Sequence, residues 1–154
     1  MSQRIAVFPG TFDPITVGHE SIVRRVLPLF DKVIVGMGIN ASKKTMFPQE
    51  QRLRWVQETF ADTEQVEAVA FEGLTVDLCL RVGAGHIVRG LRNSTDHGYE
   101  RSIALMNRQI SGVETIFLPA APEHAHISST IVRELIANKA DVRALVPMHL
   151  HPLP

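Results

Sequence analysis

The sequence predicts an α/β fold in which a five-stranded parallel sheet carries helices on both faces. Short apolar segments typical of buried strands alternate five times with segments whose apolar residues recur at helical spacing. Such alternation is typical of a parallel sheet whose strands are joined by helical crossovers. The chain has 154 residues, of which 45% are hydrophobic. We therefore expect one domain over residues 1–154 with a sizeable core.

Five short apolar runs, several of them rich in β-branched residues, are predicted to be strands. The first run is followed directly by Pro9-Gly10, which we interpret as a tight turn. The five predicted strands are residues 4–8, 32–37, 66–71, 86–89 and 114–118.

The segments between these strands place apolar residues on one helical face. Pro48 suits the first turn of the helix after it, and Gly83 and Gly112 suit the ends of two others. The predicted helices are one after residues 9–19 with apolar positions at Ile22, Val23, Val26, Leu27 and Phe30, then residues 49–60, 75–82, 99–110 and 129–138, and a short final helix over 141–146.

Composition argues against several classes of protein. The 16 basic and 16 acidic residues cancel, which disfavours a general nucleic-acid binder. No apolar run reaches the ~18 residues of a membrane span, and the N-terminus lacks a signal-peptide pattern. The single cysteine, Cys79, excludes internal disulfides and is interpreted as a small buried residue rather than a nucleophile. We expect a cytoplasmic protein with no nucleic-acid or membrane partner.

The loop over residues 9–19 is the most informative part of the sequence. It joins a strand to a helix through a glycine-containing segment, an arrangement that collects backbone N–H groups and the positive end of a helix at one place. His19 lies at the start of that helix and would add a hydrogen-bond donor. A phosphate site is one interpretation, and a plain β–α connection is the other. Neither GxGxxG nor GxxxxGK[ST] is present.

Three further polar clusters occur near predicted strand ends or a helix start. Residues 42–44 follow the second strand and are either a lysine site for phosphate or solvated surface. Arg89 ends the fourth predicted strand, Arg92 follows it, and the two suit either phosphate recognition or a structural ion pair. Residues 128–130 are three hydroxyl residues where a simple helix cap needs one. Because ligands bind at the carboxyl ends of parallel strands, these clusters are expected to converge on one crevice.

A metal site is not expected from side chains of the protein. His124 and His126 have the spacing of a possible ligand pair, but no cysteine partner or HExxH motif accompanies them.

Several motifs of this sequence resemble those of the HxGH nucleotidyltransferases. Residues 9–14 and 16–19 are similar to their first signature, and residues 127–133 to their second. Within that superfamily, the bacterial phosphopantetheine adenylyltransferase family is the one that the chain most resembles, over residues 4 to 147. The segments that carry this closer resemblance are residues 42–44, 46–47, 87–92, 99–100 and 106–108.

The resemblance implies a Rossmann-like domain of the nucleotidyltransferase type and a defined reaction. The adenylyl group of ATP would be transferred reversibly to 4′-phosphopantetheine, with dephospho-coenzyme A and pyrophosphate as products, in coenzyme A biosynthesis. Mg²⁺ would be bound mainly through the ATP phosphates. The resemblance also implies a homohexamer and feedback inhibition by coenzyme A.

The same resemblance implies roles for individual residues. His19 would be catalytic and would contact the α-phosphate of ATP. The acceptor would be bound by Thr11, Lys43, Leu74, Thr75 and Arg89. ATP would be bound by Thr11, Phe12, His19, Gly90, Leu91, Arg92, Glu100, His124, Ala125, His126, Ile127, Ser128, Ser129 and Thr130.

The sequence departs from the superfamily pattern at three places, and alternatives to this function remain open. Thr16 replaces the first histidine of HxGH, a usual replacement in this branch, and Thr130 replaces a serine. Residues 124–126 are His-Ala-His where relatives often carry aromatic residues. The alternatives are a sibling nucleotidyltransferase with another acceptor, such as nicotinamide mononucleotide or glycerol phosphate, and a flavodoxin-like nucleotide-binding module without catalysis.

Overall fold

A computed structural model describes residues 2–151 and residue 153 of the chain. Five parallel strands form one sheet in the order β3-β2-β1-β4-β5. The chain adds strands on one side of β1 and then crosses to add β4 and β5 on the other. The carboxyl ends of β1 and β4 therefore flank the switch point, where ligands of such sheets bind. The strands are β1 (Ile5–Gly10), β2 (Lys32–Ile39), β3 (Val66–Glu72), β4 (His86–Leu91) and β5 (Glu114–Pro119).

The α-helices begin and end at residues suited to those positions. The Thr16 side chain caps the first helix, and the Asn93 side chain caps the fourth by accepting a hydrogen bond from a backbone N–H. Gly83 and Gly112 end the third and fourth helices with φ angles of 72° and 77°, a conformation that glycine adopts without steric cost. The helices are α1 (Val17–Val26), α2 (Gln49–Thr59), α3 (Thr75–Val82), α4 (Ser94–Ser111) and α5 (Ser129–Ala137), with short 3₁₀ turns at Leu27–Leu29, Pro122–His124 and Met148–Leu150.

The core lies on both faces of the sheet because successive strand residues point to opposite sides. Ala6 and Phe8 belong to one apolar cluster, whereas Val7 between them belongs to the other. The first cluster includes residues of α1, α2 and α5, and the second includes residues of α3. The α/β fold expected from the sequence, with helices on both faces of a five-stranded parallel sheet, is confirmed.

The expected turn at Pro9-Gly10 is wrong, because both residues belong to β1 and pair with Gly36 and Met37 of β2. The pairing of β1 with β4 ends at Val7. Pro9 therefore lies past the last residue of β1 that pairs with β4, and its missing N–H interrupts no pairing with that strand.

Three helix predictions also need correction. The first helix ends at Val26 and a 3₁₀ turn follows, because Pro28 has no N–H to continue the α-helical pattern. The fourth helix begins at Ser94 rather than at residue 99, since the Asn93 side chain accepts from the Asp96 N–H at 2.9 Å. The helix expected over residues 141–146 is absent from the structure. There the Asp141 carboxylate accepts the Arg143 N–H at 2.9 Å and stabilises a turn instead.

Within the described ranges, no helix combines the length and apolar content needed to cross a bilayer.

Candidate active site

Two adjoining cavities open at the carboxyl ends of the strands. The first, of about 450 Å³, contains His19 in its wall and is called the His19 cavity. The second, of about 480 Å³, contains Asn107 and is called the Asn107 cavity. They share six lining residues, so a ligand in one cavity can touch a ligand in the other. The shared residues are Pro9, Gly10, Thr11, Lys43, Arg89 and Glu100.

His19 is held in one orientation by the start of α1. The Thr16 backbone N–H donates to His19 Nδ1 at 3.0 Å, and the His19 backbone N–H donates to Thr16 Oγ1 at 3.3 Å. The Phe12 ring packs against the imidazole edge to face, with centroids 5.0 Å apart. Because Nδ1 accepts a hydrogen bond, the proton of the neutral ring is on Nε2. His19 therefore has one N–H donor that its helix cap does not use.

The surroundings of His19 favour its neutral form. Burial, followed by the positive charges of Arg89 and Arg92, lowers the pKa of His19 to about 4. At neutral pH the imidazole is a donor without a net charge, and the arginines supply the positive potential of the site.

The loop after β1 is fixed by hydrogen bonds to three other segments. The Asp13 carboxylate accepts the backbone N–H groups of Met46 and Phe47 at 2.9 and 3.0 Å. Arg52 Nη1 donates to the Thr11 carbonyl at 2.6 Å, and Arg133 Nη1 donates to the Asp13 carbonyl at 2.9 Å. Phe12, between Thr11 and Asp13, has a φ of 50°, a conformation that is uncommon for a residue other than glycine. The loop is thus preorganised by its neighbours.

Lys43 and Thr11 meet at the boundary between the two cavities. Lys43 Nζ donates to Thr11 Oγ1 at 3.2 Å, and both residues line both cavities. An ammonium group and a hydroxyl at this place can bind an anion that a ligand extends from either cavity.

Arg89 forms the ion pair that the sequence left open as one interpretation. Its Nε and Nη2 donate to the Glu100 carboxylate at 2.9 and 2.6 Å, and its Nη1 donates to the Pro9 carbonyl at 2.8 Å. Glu100 thereby offsets the cost of a half-buried charge. Arg89 lines both cavities, so the predicted contact with a phosphate is open to it as well.

The hydroxyl residues at the start of α5 all have hydrogen-bond partners. Ser128 Oγ accepts the Ile131 N–H at 3.2 Å and caps the helix, whereas Ser129 Oγ donates to the Pro14 carbonyl at 2.8 Å. Thr130 Oγ1 accepts from Arg133 Nη2 at 3.2 Å. The start of this helix lines the His19 cavity, which brings its partial positive charge to the same space.

Comparison with known proteins places the chain in a family. A sequence profile of the cytidylyltransferase-like family matches residues 7–135. A phosphopantetheine adenylyltransferase of Flavobacterium psychrophilum is 51% identical over 144 residues, which are 94% of this chain and 95% of that protein. One of Flavobacterium johnsoniae is 47% identical over the same shares of the two chains. The chain belongs to the phosphopantetheine adenylyltransferase family.

A solved structure shares the fold of this family member. The crystal structure of a putative nicotinate-nucleotide adenylyltransferase from Vibrio parahaemolyticus superposes with a TM-score of 0.76, covering 99% of this chain and 91% of that one. The two sequences are 20% identical, so this likeness concerns the fold alone.

Most residues that the sequence predicted for the site line the cavities of this phosphopantetheine adenylyltransferase family member. Four do not: Leu74 is exposed at the start of α3, and Leu91, Ala125 and His126 lie outside both cavity linings. The His19 cavity is lined by the predicted residues Thr11, Phe12, His19, Lys43, Arg89, Gly90, Arg92, Glu100, His124, Ile127, Ser128, Ser129 and Thr130, and the Asn107 cavity by Thr11, Lys43, Thr75, Arg89 and Glu100.

Two predicted ATP-binding residues have notable surroundings. Arg92 Nε pairs with Asp96, in the first turn of α4, at 3.1 Å. His124 Nδ1 is buried and has no hydrogen-bond partner among the described residues. A buried polar atom of this kind is costly unless something bonds to it, so a ligand of the His19 cavity would find an available group there.

Several residues near the cavities were not predicted. Asp13 lies within the first signature, but its role in fixing residues 46–47 depends on tertiary contacts. Arg52 could have been suspected, because it shares the buried face of α2 with Trp55 and Val56. The Asn107 cavity has the largest number of such residues, among them Asn40, Phe71, Tyr99, Ile103, Asn107 and Thr115.

Proposed function

We propose that this chain transfers the adenylyl group of ATP reversibly to 4′-phosphopantetheine, giving dephospho-coenzyme A and pyrophosphate in coenzyme A biosynthesis. The observation that carries the proposal is the pair of adjoining cavities with Thr11, Lys43 and Arg89 at their boundary. A reaction between two phosphate-bearing substrates needs two sites that meet where the phosphates react. Membership of the phosphopantetheine adenylyltransferase family supplies the chemical identity of the substrates.

The composition of the cavity walls supports one placement of the substrates. The His19 cavity contains Arg92 and the start of α5, which suit the triphosphate of ATP. The Asn107 cavity combines apolar residues such as Phe71 and Ile103 with a few amide and hydroxyl groups. Such a wall suits the pantetheine arm, which is flexible and bears two amides. The acceptor phosphate then lies at the boundary, beside Lys43.

In the proposed mechanism, an oxygen of the acceptor phosphate attacks the α-phosphorus of ATP in line with the leaving pyrophosphate. The new P–O bond forms as the bond from the α-phosphorus to the bridging oxygen breaks, and the electron pair leaves with pyrophosphate. The phosphate nucleophile is already ionised, so no general base is needed. His19 Nε2–H donates to an α-phosphate oxygen while charge grows on it, and the cap at Nδ1 keeps the ring aligned.

Mg²⁺ is proposed to enter as part of the ATP substrate. Among residues 2–151 and 153, no group of three or more His, Cys, Asp or Glu side chains is arranged to hold a metal ion. The carboxylates of the His19 cavity wall already bond to protein groups: Asp13 to backbone N–H groups, Asp96 to Arg92 and Glu100 to Arg89. The phosphates of ATP are therefore left as the main ligands.

We also propose a cytoplasmic homohexamer that coenzyme A inhibits. Helix α4 has no buried residue, and its large apolar side chains Leu105, Met106 and Ile110 are exposed. An exposed apolar face of this kind favours burial against other copies of the chain. Coenzyme A contains both the pantetheine arm and the adenylyl group, so it would occupy both cavities at once. The cytoplasm supplies ATP and suits a chain whose single cysteine is free.

An assay of pyrophosphate release with a panel of acceptors tests the function. ATP is supplied with 4′-phosphopantetheine, nicotinamide mononucleotide or glycerol phosphate, and initial rates are compared. We expect substantial turnover with 4′-phosphopantetheine alone. Faster turnover with another acceptor would favour a sibling nucleotidyltransferase, and ATP binding without turnover on any acceptor would favour a binding module.

A further inference from the structure

Arg52 is a buried charge close to the two cavities. It lies on the inner face of α2 beside Trp55 and Val56, and its residue exposure is 4%. Among the described residues it is the only buried residue with a positively charged side chain. Burial lowers the pKa of its guanidinium, partly offset by the charge of Asp13. Taking a cation out of water is costly unless its hydrogen bonds do something that an apolar residue cannot.

The hydrogen bonds of Arg52 join two separate segments of the chain. Its Nη1 donates to the Thr11 carbonyl at 2.6 Å, and its Nε donates to the Phe47 carbonyl at 3.1 Å. Asp13 ties the same two segments from the other side, through the Met46 and Phe47 N–H groups. Since guanidinium presents its donors in a rigid fork, it holds two carbonyls at a defined separation.

These two segments carry the groups that meet at the cavity boundary. Thr11 follows β1, and Lys43 lies four residues before Phe47 on the segment after β2. Lys43 Nζ bonds to Thr11 Oγ1 at 3.2 Å. A small cavity of about 210 Å³ adjoins them and has Thr11, Lys43 and Arg52 in its wall. Without Arg52, the Asp13 contacts and the Lys43–Thr11 hydrogen bond would still link the two segments, but the Thr11 carbonyl would lose its bond to α2.

We propose that Arg52 is a positioning residue for the acceptor phosphate, which sets the separation of Thr11 and Lys43 without touching the substrate. The inference rests on the proposed function, because it assigns Thr11 and Lys43 to the acceptor phosphate. Thr11 is expected to contact both substrates, whereas Lys43 is expected to contact only the acceptor, and the ATP side has further contacts of its own in the Thr16 cap on His19 and the Arg133 bond to the Asp13 carbonyl. Loss of Arg52 therefore weakens the acceptor more than ATP.

The experiment compares Arg52→Met with Arg54→Met and Arg52→Lys. Arg54 is exposed on the same helix and serves as the matched control. Michaelis constants for 4′-phosphopantetheine and for ATP are measured together with thermal unfolding. Removal of one charge-assisted hydrogen bond weakens binding by about tenfold or more. We expect Arg52→Met to raise the KM for the acceptor by about that factor and to leave the KM for ATP nearly unchanged. Arg52→Lys, which can reach one carbonyl, should recover part of the loss.

A double-mutant cycle shows whether Arg52 acts through Lys43. In a Lys43→Ala background, Arg52→Met should raise the acceptor KM much less than it does in the wild type, because the group that it positions is gone. Equal effects in both backgrounds would overturn the proposal. The proposal would also be overturned if Arg52→Met unfolded at a lower temperature but left both Michaelis constants unchanged, or raised the KM for the acceptor and the KM for ATP by the same factor.

Two other results are distinguishable from these. If Arg52→Met does not fold, the test rests on Arg52→Lys. The ratio of its KM for 4′-phosphopantetheine to its KM for ATP is then compared with the wild-type ratio, and an unchanged ratio overturns the proposal. A wild-type chain that does not adenylylate 4′-phosphopantetheine would refute the proposed function itself, before any variant is compared.

Discussion

At the scale of the residue, His19 combines a fixed orientation with an unused donor. The Thr16 N–H holds Nδ1, and Nε2–H remains for a ligand. We predict that His19→Ala lowers kcat about 100- to 1000-fold, the usual cost of one preorganised transition-state donor, and changes the KM for ATP far less. Steady-state kinetics check this, with the exposed His97→Ala as the control. Equal losses in kcat and in ATP affinity would mean that His19 only binds ATP.

The low pKa of His19 also predicts how stability depends on pH. An unfolded histidine titrates near 6.5, whereas burial and the two arginines lower the pKa of His19 in the folded chain to about 4. Between these values the unfolded chain binds a proton that the folded chain does not, so stability falls as pH falls from about 6.5 to about 4.

The measurement is thermal unfolding between pH 7.5 and 4.5 for the wild type and for His19→Gln, which cannot titrate. The wild type should lose more stability over this range than the variant. Parallel curves would show that the folded pKa of His19 is ordinary.

Residues of the candidate site could be predicted from the sequence where their position relative to a strand end was enough to place them. Thr11 and Lys43 follow carboxyl ends of parallel strands and Arg89 lies near the carboxyl end of β4, and topology alone brings such residues to one edge of the sheet. The sequence did not predict that Glu100 would pair with Arg89 or that Ser129 would bond to Pro14. These contacts depend on how α4 and α5 dock, which is decided by tertiary packing.

At the scale of the element, the packing of α3 on the sheet depends on a residue without a side chain. A Cβ added at Gly36 of β2 would lie 2.8 Å from Leu78 Cδ2 and 3.1 Å from Phe71 Cε1. We predict that Gly36→Ala destabilises the fold by about 1–3 kcal/mol, the usual cost of overpacking a core. Urea unfolding measures it, with Gly85→Ala as the control because a Cβ there meets nothing within 4 Å. Equal midpoints for the two variants would contradict this account.

The elements differ in how far their sequences specify them. Helix α3 occupies residues 75–82 as predicted, because Gly83 supplies the left-handed conformation that ends it. The start of α4 was missed since residues 94–98 are mostly exposed and show no apolar periodicity. Residues 141–146 do have buried apolar positions, Val142 and Val146, yet a turn satisfies that spacing equally well.

At the scale of the whole molecule, the exposed face of α4 predicts self-association. Met106 and Ile110 lie one turn apart and are 56% and 55% exposed, and neither lines a cavity. We predict that the wild type is a hexamer by light scattering and that Met106→Glu with Ile110→Glu gives smaller species of normal secondary structure. Leu29→Glu, a comparably exposed position outside α4, is the control. A monomeric wild type would refute this prediction.

The meeting of the two cavities predicts strong discrimination by the acceptor phosphate. Lys43 and Arg89 both face the boundary, and pantetheine without its phosphate would leave Lys43 without an anion in a partly dry crevice and Arg89 with Glu100 as its partner. It would also lack the ionised oxygen that attacks ATP. Removing a hydrogen bond to a charged group costs about 1.5–3 kcal/mol, so losing the phosphate contacts of both Lys43 and Arg89 should lower the initial rate with saturating ATP at least about 100-fold below that with 4′-phosphopantetheine. The apolar arm would still bind in the Asn107 cavity, and pantetheine should therefore inhibit weakly and competitively against 4′-phosphopantetheine. Similar rates with the two acceptors would mean that the cations at the boundary serve another group, and the pantetheine assignment would then have to be given up.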